Sequence, residues 1–128
     1  KPSRIARSRM FIFLGAEGPR KPLAEKALAD PQFGALIDTM RRVGASHGGA
    51  SPATVAIGWC IAKGTVPIPG ARTIKQAEGN LAARDLKLSA AEVATLDAAA
   101  KLVTPVVSPE VNPFPKKDIF TGLPMYQS

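Results

Sequence analysis

The sequence of 128 residues has a single cysteine, few aromatic residues and no long hydrophobic run. A lone Cys60 excludes an internal disulfide framework or a cysteine metal cluster, and this usage is typical of a reducing compartment. The longest apolar stretch, residues 10–14, is shorter than a membrane-spanning helix or the core of a secretory signal. With 5% aromatic residues, the chain lacks the stacking platform of single-strand nucleic-acid binders. Its length excludes several independent domains.

Acidic residues are also in deficit, because 17 Lys and Arg oppose 10 Asp and Glu for a net charge of +7. Basic residues crowd the first ten positions, so residues 1–21 are predicted to form a basic, irregular N-terminal arm. Such an arm could touch nucleic acid or an anionic membrane surface, or it could be a solvated connector. No zinc-finger spacing or RNA-binding signature accompanies the charge, so we predict no specific nucleic-acid partner. Because the sequence begins at Lys1 rather than Met, we expect a processed or partial polypeptide.

Capping residues mark where the helices begin. Asp30 before Pro31 predicts one helix and Ser51 before Pro52 another, because a capping side chain followed by proline suits the first helical turn. A shorter helix is predicted at residues 22–29. Helical spacing predicts that the helix after Asp30 buries one face, formed by Phe33, Leu36, Ile37, Met40 and Val43.

Two further helices are predicted from capping boxes, one from Thr73 with Gln76 and one from Ser89 with Glu92. In each pair the first side chain would accept a backbone N–H of the helix, and the second would reach back to the capping residue. The sequence therefore predicts four or five helices. The helix after Ser51 is predicted to stop at Gly64, and two of its residues are expected in the core as packing groups: Trp59 and Cys60.

A β-prone run at residues 65–69 is the one predicted strand, and its two prolines keep it short. An isolated strand has no partner for its backbone N–H and C=O groups, so partner strands are expected in the first twenty residues or in another part of a larger fold. Beyond Lys101 five prolines exclude long helices, so residues 102–128 are predicted to form an extended, proline-rich tail. The predicted fold class is α/β, mostly helical with one strand.

The junction between this strand and the next helix is the candidate site, because it has the features of an anion site. Gly70 would let a ligand approach the backbone closely, and the free N–H groups of the helix would point at that ligand. Arg72 supplies a forked donor suited to phosphate, and Lys75 adds a second charge. One helix face carries two amides that could bind a base edge: Gln76 and Asn80. The alternative is an ordinary turn with a solvated arginine and a helix cap, and neither a Rossmann fingerprint nor a P-loop is present.

Three stretches carry a resemblance to a known family: residues 51–80, 88–93 and 96–97, which contain SPATVAIGWC, IPGARTIKQAEGN, LSAAEV and LD. Together they closely resemble the C-terminal part of the aldo-keto reductases, over roughly residues 33–100, in the style of plastid members from plants and algae. The resemblance implies that the chain is the C-terminal portion of a (β/α)8 TIM barrel. Residues 22–101 would then be the barrel segment that carries the NADP 2′-phosphate motif.

The resemblance also implies a role for each residue of the candidate site. By position, Gly70, Ala71 and Arg72 would line the site of the adenosine 2′-phosphate of NADP. Thr73 would cap the helix beside it. Two further side chains would face the adenosine end: Gln76 and Asn80. The family usually has Glu immediately before this Asn, in contact with the adenine amino group, whereas this chain has Gly79.

The activity implied by the resemblance is hydride transfer from NADPH to an aldehyde or ketone, without a metal. In the family a Tyr acid does this with Lys, Asp and His, and here neither Tyr126 nor His47 lies in a matching context. His47 is predicted to be a loop or C-cap residue. The chain would thus contribute to the cofactor site, with no catalytic residue of its own. The alternative is a non-catalytic structural or interaction subunit derived from a reductase, with its proline-rich tail on a protein partner. The family style predicts a chloroplast location, with the cytoplasm as the alternative.

Overall fold

The computed structural model describes residues 21–106, and these residues form five helices with no strand among them. The predicted number of helices is therefore confirmed. Lys21, which the sequence placed in the N-terminal arm, is the first residue of the first helix. The rest of that arm and residues 107–128 of the predicted tail lie outside the described residues. The helices are α1 (Lys21–Ala29), α2 (Pro31–Ala45), α3 (Pro52–Ala62), α4 (Ile74–Ala82) and α5 (Ala90–Lys101).

The predicted caps of α2 and α3 are confirmed. Asp30 accepts the backbone N–H of Gln32 at 2.8 Å, and Ser51 accepts that of Thr54 at 3.1 Å. Each cap satisfies an N–H group that has no partner within its own helix. The second carboxylate oxygen of Asp30 accepts the backbone N–H of Thr104 at 3.0 Å. The start of the predicted tail is thereby tied back to the beginning of α2.

The capping box of α5 also forms in full. The backbone N–H of Ser89 donates to Glu92 Oε2 at 2.8 Å, and the backbone N–H of Glu92 donates to Ser89 Oγ at 3.1 Å. The Ser89 N–H, and after it the ring of His47, holds the pKa of the Glu92 carboxyl below its usual range. His47 lies in the turn that follows α2, which confirms its prediction as a loop residue.

The core lies where α2 packs against α3 and α5. Among the described residues three side chains are completely inaccessible, and the two largest of them are Val55 of α3 and Leu96 of α5. Around them α2 contributes the apolar face that its helical spacing predicted, with Phe33 packed at the edge of the cluster and four residues buried: Leu36, Ile37, Met40 and Val43. Burial of each such side chain stabilises the fold by about 1.5–3 kcal/mol.

The strand predicted at residues 65–69 does not form among the described residues. This segment has no regular secondary structure and forms no strand pairing with any residue between 21 and 106, and Val66 and Ile68 are 89% and 96% exposed. A strand is defined by hydrogen bonds to a neighbouring strand, and none of the described residues provides one. Pro67 and Pro69 also remove two of the N–H donors that a ladder would use.

The prediction that Cys60 lies in the core is wrong, because its thiol is exposed. The pattern failed here because α3 is apolar on nearly every face, so its composition does not indicate which face packs inward. Trp59 is half-buried, and its Nε1–H donates to Asp97 Oδ1 at 2.9 Å. Asp97 Oδ2 accepts from Lys63 Nζ at 2.7 Å, and this bond, more than the one from Trp59, lowers the pKa of the Asp97 carboxyl. Trp59 therefore packs as expected and also links α3 to α5.

Candidate functional site

All six residues of the predicted site line one cleft of about 790 Å³. The cleft lies between the N-terminal turns of α3 and α4 and the loop that enters α4. Its lining residues from the prediction are Gly70, Ala71, Arg72, Thr73, Gln76 and Asn80. The remaining lining residues are Ser51, Ala53, Thr54, Lys75 and Gly79. The structure therefore brings the predicted residues together, which the sequence could only infer from their spacing.

The positive end of α4 forms part of this cleft. Thr73 caps the helix in an extended conformation, with φ −129° and ψ 157°, and its Oγ1 accepts the Gln76 N–H at 3.2 Å. Helix α4 has no acidic residue in its first turn. Its unpaired N–H groups and the helix dipole therefore add positive potential at the cleft without a neutralising carboxylate from that turn.

The reciprocal half of the predicted Thr73–Gln76 capping box does not form. Gln76 Oε1 accepts the backbone N–H of Arg72 at 2.7 Å instead of that of Thr73. One turn further along α4, the Asn80 amide donates to the carbonyl oxygen of Gly70 at 3.2 Å. Both amides that the sequence placed on one helix face are therefore bonded to the loop before α4. The pattern showed that the two side chains share a face, but not which backbone atoms they reach.

Two of the described residues that line the cleft are cations, Arg72 and Lys75, and none of them is a carboxylate. Neither cation forms an ion pair within residues 21–106. Lys75 stands in the first turn of α4, where the helix dipole disfavours a positive charge. The position of Lys75 is therefore electrostatically unfavourable for the helix itself. The side chains of Arg72 and Lys75 are both exposed, so an anion in the cleft can contact them.

The floor of the cleft is formed where α4 crosses the start of α3. The Thr54 hydroxyl donates to the carbonyl oxygen of Gly79 at 3.2 Å and lies 2.9 Å from Ser51 Oγ. A Cβ atom at Gly79 would meet only Thr54 Oγ1, at an ordinary contact distance of 3.5 Å. A Cβ atom at Gly70 would meet nothing within 4 Å. Packing within the described residues therefore does not require glycine at either position.

A second, apolar groove of about 670 Å³ lies beside the cleft, between the end of α3 and the outer side of α4. Ala71 and Asn80 line both cavities, so the loop before α4 separates them. The most apolar residues of the groove are Ile57, Ile61, Val66, Pro67 and Leu81. This surface is open in the part of the chain that the structure describes.

Among the described residues, His47 is not one of those that line the cleft. The ring of His47 is bonded to Glu92, and Tyr126 lies outside the described residues. Between residues 21 and 106 no three His, Cys, Asp or Glu side chains are grouped so that they could hold a metal ion. No helix in that range combines the length and the hydropathy that a membrane span requires.

Comparisons with known proteins show what this chain is similar to. The model of the aldo/keto reductase family matches residues 15–101. The chain is 40% identical over 84 residues to pyridoxal reductase, chloroplastic, of Arabidopsis thaliana. This alignment covers 66% of the chain and 22% of that relative. Over 72 residues it is 43% identical to uncharacterized oxidoreductases of Mycobacterium bovis and Mycobacterium tuberculosis, covering 56% of the chain and 22% of each relative. No solved structure matches the chain. The chain spans about a fifth of the length of the curated relatives it matches.

Proposed function

This chain belongs to the aldo/keto reductase family, and from that premise we propose that it is the C-terminal part of an NADP-dependent reductase with a (β/α)8 barrel. In this proposal, the cleft at the start of α4 holds the adenosine 2′-phosphate end of the cofactor. The observation that carries the proposal is the charge of the cleft: two of its described lining residues are cations and none is a carboxylate. A phosphate monoester is close to a dianion at neutral pH, and such a site suits it.

The residues of the cleft fit this group by their chemistry. The Arg72 guanidinium can donate two parallel hydrogen bonds to a phosphate. The ammonium group of Lys75 adds a second positive charge. The absence of a side chain at Gly70 leaves open space where a ligand could approach the loop backbone. Ala71 and Thr73 complete the wall on either side of Arg72.

The adenosine end would lie along α4, where Gln76 and Asn80 line the cleft. Within residues 21–106 each amide keeps one unbonded group, the Gln76 Nε2 and the Asn80 Oδ1. These groups are free to meet the ribose or the base edge. Gly79 contributes no carboxylate for an adenine amino group, which is a difference from the pattern usual in the family.

The reaction of the whole protein would be reduction of an aldehyde or ketone, for which NADPH supplies the hydride. Residues 21–106 contain no tyrosine to donate a proton, and His47 is bonded to Glu92. The part described here would therefore bind and orient the cofactor, while the catalytic residues would come from elsewhere in the protein. Since one relative is a chloroplastic pyridoxal reductase, we propose an aldehyde or ketone substrate and a plastid location.

The proposal is tested by measuring NADPH and NADH binding to the natural polypeptide that contains this chain. Arg72→Ala should weaken NADPH binding by at least about tenfold and leave NADH binding unchanged, because only NADPH carries the 2′-phosphate. The matched control is Arg84→Ala, which removes the same charge from a residue that does not line the cleft. Equal binding of NADPH and NADH by the unaltered protein would contradict the proposal.

The exposed apolar surface favours a second candidate function, a non-catalytic subunit in a larger assembly. Val66 and Ile68 are almost fully exposed, and the apolar groove next to them is open among the described residues. A surface of this kind is usually covered by other protein. The intact mass of the natural polypeptide separates the two candidates, because a reductase needs a much longer chain with its catalytic Tyr, Lys, Asp and His. A natural chain of this size would favour the subunit, with the proline-rich tail as a further contact for its partner.

A further inference from the structure

The two amides of α4 hold the loop that carries Arg72, and this gives them a role beyond contact with a nucleotide. We propose that Gln76 and Asn80 act as positioning residues, which fix the Gly70–Arg72 backbone against α4 before any nucleotide binds. The inference rests on the proposed function, because it assigns the fixed loop to recognition of the 2′-phosphate. It differs from that proposal in its mechanism, since the amides would act through Arg72.

The bond from Arg72 to Gln76 has a defined polarity. A backbone N–H can only donate, so the atom of Gln76 that lies 2.7 Å from it must be the oxygen, as the structure shows. This contact fixes the amide plane of Gln76 and holds the peptide group between Ala71 and Arg72. Its short distance is typical of a well-formed hydrogen bond.

Asn80 holds the other end of the same loop. Its amide donates to the carbonyl oxygen of Gly70 at 3.2 Å, so the two bonds bracket Ala71. Gln76 and Asn80 are four residues apart on one helix and therefore reach the loop from the same face. Within residues 21–106, no other hydrogen bond involves residues 66–72. Among the described residues these two side chains therefore supply all the hydrogen bonds that hold the loop.

A fixed loop should favour binding because less ordering is needed when the anion arrives. The Arg72 side chain is long and exposed, and its base is anchored by the Gln76 bond. Without that bond the guanidinium would start from a mobile backbone. The loss of affinity should therefore be larger for ligands that use Arg72 than for those that do not.

Two nucleotides separate positioning from direct contact with the base. The ligand 2′,5′-ADP carries the 2′-phosphate, whereas 5′-AMP has the same base and ribose without it. If Gln76 also acts through Arg72, then Gln76→Met should weaken 2′,5′-ADP binding by about fivefold more than it weakens 5′-AMP binding. In an Arg72→Ala background the same substitution should weaken the binding of both nucleotides by the same factor, because the group it positions is gone. The control is Gln32→Met, which alters an exposed glutamine in the first turn of α2.

A measurement without nucleotide tests the same bond in the natural polypeptide. Hydrogen exchange at the Arg72 amide should be about fivefold faster in Gln76→Met and in Asn80→Leu, since each variant loses one anchor of the loop. An unchanged exchange rate in both variants would overturn the inference. Equal losses of 2′,5′-ADP and 5′-AMP affinity would also overturn it, in favour of direct contact with the base. If the unaltered protein binds neither nucleotide, the proposed function fails, and the exchange rates alone then decide whether the loop is held as inferred.

Discussion

His47 and Glu92 are joined by a hydrogen bond that connects the turn after α2 with the first turn of α5. The His47 Nε2 atom lies 2.9 Å from Oε1 and 3.0 Å from Oε2 of Glu92. The same carboxylate accepts the backbone N–H of Ser89 at 2.8 Å. The Glu92 side chain thus completes the capping box of α5 and also bonds that helix to a loop residue 45 positions earlier.

This carboxylate predicts a loss of stability in acid. The Ser89 N–H and the His47 ring lower the pKa of Glu92 from its usual value of about 4.5. The ionised Glu92 carboxylate therefore stabilises the folded state above about pH 4.5. This stabilisation is lost as the pH falls through the lower pKa that Glu92 has in the folded state. The measurement is urea unfolding of the full chain at about pH 7 and at about pH 3.5. Between these two pH values the free energy of unfolding should fall less for Glu92→Gln than for the unaltered chain.

The matched control for this measurement is Glu78→Gln, which changes the same charge on the exposed side of α4. Its difference in stability between the two pH values should match that of the unaltered chain. If Glu92→Gln and Glu78→Gln behave alike, the His47–Glu92–Ser89 contacts do not contribute to the acid sensitivity.

Two helical glycines should respond in opposite directions to the addition of a methyl group. Gly79→Ala should raise the free energy of unfolding by about 1 kcal/mol, because alanine favours the helix and its Cβ has room. Gly44→Ala in α2 should lower it, since its Cβ would collide with the backbone carbonyl group of Ala50. Chemical denaturation of the two variants provides the comparison. Destabilisation of both would show that α4 and α3 approach more closely at Gly79 than the structure has it.

The same glycine offers a gain-of-function prediction for the cleft. Gly79→Glu should tighten binding of 5′-AMP by about fivefold, because it restores a carboxylate where the family usually contacts the adenine amino group. Gly79→Ala is the control, since it alters the helix without adding a carboxylate. Isothermal titration of both variants tests this. A glutamate that leaves 5′-AMP binding equal to that of the alanine variant would show that adenine does not lie along this face of α4.

Two leucines near the end of the described residues should differ greatly in how much stability is lost when each is replaced by alanine. Leu96 is completely inaccessible in the contact between α5 and α2, whereas Leu102 is 65% exposed. Leu96→Ala should cost about 2–5 kcal/mol through lost burial and a residual cavity. Leu102→Ala should cost under about 0.5 kcal/mol. Comparable losses in thermal or urea unfolding would contradict the packing of α5 on α2.

The helices could be predicted because their start signals are local. Asp30 before Pro31 and Ser51 before Pro52 satisfy their own helix ends, and the Ser89–Glu92 box does the same for α5. The inner face of α2 also followed from spacing alone, because its apolar residues lie on one side. These features depend on residues within a few positions of one another.

The errors all concern partners that local sequence does not specify. A strand at residues 65–69 needs a neighbouring strand, and the described residues contain none. Cys60 was misplaced because α3 is apolar on nearly all sides, so only tertiary packing decides which side is buried. Gln76 has the correct type for a capping box, but its side chain reaches Arg72, one residue beyond the expected partner. The pattern selected residues that line one cleft, and the fold determined their contacts.

The most direct test of the account is a crystal structure of the natural polypeptide bound to 2′,5′-ADP. Density for the 2′-phosphate is expected within about 3 Å of the Arg72 guanidinium, at the N-terminus of α4. The loop from Gly70 to Arg72 should keep its bonds to Gln76 and Asn80 in that complex. Density for the phosphate at another place, or a cleft filled by another part of the polypeptide, would contradict the account.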